Sequence, residues 1–135
     1  MPEIPLNIRI SNPATIAKLT GFSHVAEVLS GRLIYIAGQV PLDPSGNLAG
    51  TDMESQARQV FENLKAALES CGANFGNVVK FTIFTTDINL LPAVRKVRDE
   101  YVNIAQPPAS TAVEVSKLFR SDILLEIEAV AALPA

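Results

Sequence analysis

Apolar positions recur along this chain with two periods, and the switch between them marks out its elements. Residues 7–10 predict a short strand stopped by Asn12-Pro13. Val25 to Leu29 and Leu33 to Ala37 predict two more, and Ser30-Gly31 between them reads as a tight hairpin turn. Two prolines, a glycine, an asparagine and an aspartate make 41–47 a loop. The period then becomes helical. Met53, Ala57, Val60, Phe61, Leu64, Ala67, Leu68 and Cys71 fall on one face, with Arg58, Glu62, Lys65 and Glu69 opposite. Thr51 and Glu54 have the spacing of a capping box, and Gly72 is placed to end the helix.

From Val78 to Thr85 the period returns to two, with Val79, Phe81, Ile83 and Thr85 alternating against Lys80, Thr82, Phe84 and Thr86. Asp87 or Asn89 can cap a second helix running to about Ile104, with Pro92 tolerated in its first turn and Leu91, Val94, Val97 and Tyr101 as its apolar stripe. Two last strands are expected near 111–117 and 124–131. The order is βββαβαββ, an α+β fold: a mixed β-sheet with two helices packed on one face. The face left bare, with Phe84, Val130 and the alanines of the last strand, calls for a partner, so the chain is expected to be oligomeric.

Composition narrows the functions. With 135 residues, 48% apolar and 19% charged, residues 1–135 read as one compact domain. A net charge of −3 gives no field that attracts nucleic acid. The cluster Arg95, Lys96 and Arg98 is followed at once by Asp99 and Glu100 and reads as a solvated helix face. No apolar run spans a bilayer, the N-terminus lacks a signal-peptide pattern, and one cysteine fits a reducing, cytoplasmic setting. Cys71 is expected to pack in the helix stripe. A lone histidine, His24, leaves no metal-ligand set and no Ser-His-Asp arrangement, and is expected to be exposed and inert.

Three segments carry candidate chemistry: Ala37-Gly38-Gln39-Val40-Pro41, Pro107-Pro108-Ala109-Ser110-Thr111-Ala112-Val113-Glu114-Val115, and Leu125-Glu126-Ile127-Glu128-Ala129. Read alone, Glu126 and Glu128 point to solvent or pair with Lys80, and Ser110 and Thr111 shape a strand entry. From about Phe22 to Ala131, however, the chain resembles the RidA family (YjgF-like, also labelled endoribonuclease L-PSP), reactive intermediate deaminases of chorismate-mutase-like fold. The resemblance implies a homotrimer with small-molecule clefts between subunits; no cofactor and no metal are expected, and neither nucleic acid nor membrane as partner. It implies that Glu126 positions or activates water, that the Gly38 backbone approaches the ligand, and that Phe22, Ser110 and Thr111 line the cleft.

The chain departs from that family at one telling place. The imine deaminases carry an arginine where Ser110 stands, and a single neutral donor cannot replace a charged fork gripping a carboxylate. Phe22 likewise keeps an aromatic wall without its phenol. Arg95, where relatives often place a polar residue toward the cleft, offers a cation from another direction. The expected function is therefore a RidA-like hydrolase deaminating an imine or enamine other than the short 2-imino acids. A non-catalytic trimeric metabolite-binding protein of the same fold is the alternative, and whether the chain is an enzyme stays open between them. Ribonuclease activity, a historical label, is disfavoured by the acidic chain and the single histidine.

Overall fold

A computed structural model describes all 135 residues. Strands β1 (Ile8–Ser11) and β2 (Val25–Val28) form an antiparallel pair. Strands β3 (Arg32–Gln39), β4 (Val78–Thr85), β5 (Ala109–Glu114) and β6 (Leu125–Leu133) form a mixed sheet in the order β3-β6-β4-β5. Helices α1 (Met53–Ser70) and α2 (Leu91–Arg98) lie on one face of it. The expected α+β arrangement and element order are both present.

Alternation decides which side chains meet the helices. In β6, Leu125, Ile127, Ala129 and Ala131 are buried against the helical layer, together with Phe81 and Ile83 of β4. Phe61 of α1 lies at the centre, its ring centroid 5.3 Å from Tyr101, 5.9 Å from Phe81 and 6.1 Å from Phe75. Each of the leucine, isoleucine and phenylalanine side chains contributes about 1.5–3 kcal/mol by leaving water. On the other face, Ile8, Val79 and Ala132 form a small cluster under the β1–β2 pair. Leu33 and Tyr35 remain exposed on that side, Tyr35 at 75%. Of the last strand's alanines expected there, Ala129 and Ala131 face the helices instead.

Several expectations are corrected. Ser30-Gly31 turns the chain, but β2 and β3 do not pair. Asn7 Nδ2 donates to Ser30 O at 3.0 Å and Leu29 N to Asn7 O at 2.8 Å, tying the turn to β1. Gly31, at φ +112°, then passes so close to β6 that a Cβ would stand 1.9 Å from Leu133 O. The chain therefore crosses from one sheet to the other. Asp52, not Thr51, caps α1, its carboxylate accepting from Ser55 N at 3.0 Å. Gly72 at φ +76° ends that helix as expected, but Cys71 is exposed. Asp87 caps a short 3-10 turn ahead of α2. That helix ends at Arg98, well before Ile104, where Glu100 N and Tyr101 N donate to Val97 O and Arg98 O in tighter turns. Asn103 Oδ1 then accepts from Ala105 N and Gln106 N and turns the chain toward Pro107-Pro108. β5 begins and ends earlier than the expected 111–117, parallel to β4 with Ser110 opposite Phe81.

No helix is long and apolar enough to cross a membrane.

Candidate functional site

The expected site residues fall into two groups on opposite faces of the sheet. Glu126 and Gly38 form the first. Leu125 and Ile127 are wholly buried toward the helices, so period two sends Glu126 to the other face, opposite Phe84 of β4. The β3–β6 register breaks between Ile36 and Gln39, and in that break Gly38 presents bare backbone to the Glu126 side chain. Glu126 is half-buried, and no cation of the chain pairs with it. A carboxylate in that state is free to hold a water or a ligand proton.

Lys80 does not take either glutamate of β6. Its Nζ donates to Thr111 Oγ1 at 2.7 Å. Lys80, Thr82, Glu128 and Tyr35 border a shallow cavity of about 410 Å³ on this open face.

The second group surrounds a cavity of about 530 Å³ between β5, α2 and the loop before β2. Phe22, Arg95, Ser110 and Thr111 all border it. Ile83, Ile88, Leu91 and Val94 give it an apolar floor. Ser110 shares the helical side of the sheet with Phe81, whereas the Thr111 hydroxyl turns away to accept from Lys80 and keeps its own proton to donate. Thr111 thus contributes to the rim.

Four contacts hold Phe22 in place. Ser23 N donates to Pro108 O at 3.2 Å and His24 N to Asn12 Oδ1 at 2.8 Å. His24 Nε2 lies 2.8 Å from Ala17 O, which can only accept, so that nitrogen carries the proton. The Phe22 and His24 rings meet edge to face at 5.6 Å. His24 is accordingly half-buried and structural, not the exposed group expected.

The basic cluster also divides. Arg98 is 6% exposed, its guanidinium donating to Gly21 O and pairing with Asp99 at 2.8 Å. The sequence reading assigned it to a solvated face. Its spacing of seven from Leu91 and four from Val94, within the helix stripe, was the available signal. Arg95 and Lys96 are exposed, and Lys96 pairs with Glu54 at 3.2 Å.

Gln56 is the other residue the sequence reading missed. Fully buried, its Nε2 donates to Gly50 O at 3.0 Å and Asp122 O at 2.8 Å, and its Oε1 accepts from Leu124 N at 2.8 Å. It ties the approach to α1 to the start of β6. Loop 41–50 is pinned as well, by Asn63 Nδ2 donating to Val40 O and Leu42 O.

A third cavity, about 920 Å³, lies under residues 10–24 and 104–107 and shares Phe22 and His24 with the second. No three His, Cys, Asp or Glu side chains converge in a metal-ligating group.

Known proteins share much of this sequence and its fold. The family described as endoribonuclease L-PSP matches residues 12–133. A RutC family protein of Pyrococcus horikoshii is 42% identical over 105 residues, 77% of this chain and 82% of that protein. The 2-iminobutanoate/2-iminopropanoate deaminase of Salmonella typhimurium is 36% identical over 110 residues, 80% of this chain and 85% of the enzyme. Among solved structures, a protein of unknown function from the conserved Rid family of Yersinia pestis superposes with a TM-score of 0.84 at 34% identity, covering 95% of this chain and all of that one.

Proposed function

Since the chain belongs to the endoribonuclease L-PSP family, the RidA/YjgF proteins, we propose that it is a small-molecule hydrolase that deaminates an imine- or enamine-type metabolite. One observation carries this reading. Glu126, the group suited to handling water, and the cavity of Phe22, Arg95 and Ser110 lie on opposite faces of the same sheet. One chain cannot bring them together. A homotrimer can, when the bare face of one copy meets the cavity of the next. The exposed Leu33, Tyr35 and Val113 on that face supply apolar area for such contact.

The reaction follows from an unpaired carboxylate beside exposed backbone. Water oxygen bonds to the imine carbon while the C=N π pair moves to nitrogen. Glu126 takes the proton from water and returns it to that nitrogen. The hydroxyl proton then passes, again through Glu126, to the amino nitrogen as the C–N bond breaks, and a carbonyl compound and ammonia leave. An enamine enters by first shifting a proton from nitrogen to carbon. Because Ser110 provides no charge, the short 2-imino acids named for the Salmonella relative are poor substrates of this chain.

The test is ammonia release from a panel of imines and enamines generated in situ, with 2-iminobutanoate included. Turnover of larger members, weak turnover of 2-iminobutanoate and loss of both in Glu126→Gln support the proposal. Saturable binding with no turnover anywhere would favour the non-catalytic binding protein, the reading that Ser110 also permits. Sedimentation equilibrium checks the trimer.

A further inference from the structure

We infer that Arg95 is the anion-binding residue of the cleft, and that the ligand is a monocarboxylate whose charged end lies against α2 and whose apolar body lies on the Ile83–Leu91 floor. The inference deepens the hydrolase reading and rests on it for the identity of the site.

The charge pairing around α2 isolates Arg95. Lys96 is held by Glu54, Arg98 by Asp99, and Arg58, reaching over from α1, by Glu100 at 2.9 Å. Every carboxylate that α1 and α2 present near this end is thereby occupied, and Arg95 pairs with none. Its side chain is exposed at the border of the cavity. It folds back over Gly21, where a Cβ would lie 3.7 Å from Nε and 3.9 Å from Cζ. Gly21, at φ +92°, leaves that space clear. The guanidinium therefore stands on the cavity wall with its fork unsatisfied by protein.

What faces it sets the ligand's chemistry. Across the cavity lies Ser110, a neutral hydroxyl, and beneath lie Ile83, Leu91 and Val94. A single permanent charge with a planar pair of donors matches one carboxylate in bidentate fashion. The second cation on the wall, Arg98, is already neutralised by Asp99, so the site balances one negative charge and not two. A space of about 530 Å³ with an apolar floor favours a branched or aromatic body over a two- or three-carbon one. The cation has in effect been set on the helix, leaving position 110 free for a neutral contact.

Calorimetric binding of 4-methyl-2-oxopentanoate, a stable carbonyl analogue, and of its neutral amide tests this on the intact protein. The acid is expected to bind wild type at least ~10-fold more tightly than the amide, the usual worth of a charged hydrogen bond. Arg95→Ala abolishes that preference, Arg95→Lys restores part of it, and Arg9→Ala, which removes a cation that does not border the cavity, leaves it intact. Equal affinity of wild type for acid and amide, or an unchanged preference in Arg95→Ala, overturns the inference. Arg95 is exposed and unpaired, so both variants should melt as wild type does. Arg95-dependent acid binding without turnover of any imine would remove the hydrolase reading and leave this one standing. Turnover whose KM for carboxylate-bearing imines is unchanged in Arg95→Ala would do the reverse.

Discussion

The carboxylate of Glu126 occupies the space that a side chain at Gly38 would fill: a Cβ there would stand 2.6 Å from Oε2 and 2.8 Å from Cδ. Gly38 is not in the left-handed region, so its backbone would accept any residue. Glycine is needed there for room alone. Gly38→Ala is expected to fold normally but to swing Glu126 off its position, lowering kcat by about 100-fold, as misplacing a catalytic group by an ångström does. The double variant Gly38→Ala/Glu126→Gln should be no slower than Glu126→Gln alone. Additive losses would show that the two positions act separately.

Much of the scaffold was legible because its elements have unmixed periods. β6 alternates cleanly and β4 does so from Lys80 onward, so the faces of Phe81, Ile83, Leu125 and Ile127, and hence that of Glu126, follow from sequence position. Val79, expected on the face of Phe81, is the exception, because the register shift between Val78 and Lys80 buries Val78 there and turns Val79 to the opposite face. The stripe of α1 from Met53 to Leu68 is equally plain. Pairing was less so. Ser30-Gly31 announces a turn, but the strand that receives the chain is set by Asn7 and by the passage of Gly31 past Leu133, contacts remote in sequence. The face of Ser110 depends likewise on its parallel register with Phe81. Local pattern cannot supply that register. The separation of Ser110 from Glu126 was therefore invisible until the sheet order was known.

Gln56 illustrates a different blind spot, a polar residue within an apolar stripe. Its amide satisfies two carbonyls and one N–H from segments on either side of α1's start. Gln56→Leu keeps the volume and strands all three. A loss of about 3 kcal/mol is expected. Urea unfolding should show a lower midpoint with an unchanged slope. A loss within experimental error would mean that the three groups find other partners.

Tyr101 gives the stability an alkaline limit. Burial first, and then the hydrogen bond its hydroxyl donates to Glu62 at 2.7 Å, push its phenol up to about 12. In the unfolded chain the group ionises near 10. Because the folded value is the higher, its contribution is complete below pH ~10 and is lost as pH rises through about 12. Melting temperature should fall across that window in wild type, and less steeply in Tyr101→Phe. Phenolate absorbance in the folded protein should place one tyrosine's ionisation at the upper end of the same range.

Asp52 sets the corresponding acid limit at the start of α1. Hydrogen bonds from the Ser55 backbone N–H, and then from its hydroxyl, hold the carboxyl below its ordinary range. The helix dipole favours the same charged form. A depressed folded pKa contributes stability above the unfolded value of about 3.9 and loses it as pH falls through the folded value. Asp52→Ala should therefore melt lower than wild type at neutral pH, with the gap closing as pH drops below ~4. Asp52→Asn should sit between the two at neutral pH, since a neutral amide oxygen still caps. Unlike wild type, it should show no cap-dependent slope in acid. A wild-type gap over Asp52→Ala that persists unchanged down to pH ~2 would assign the stabilisation to the shape of the cap and not to its charge.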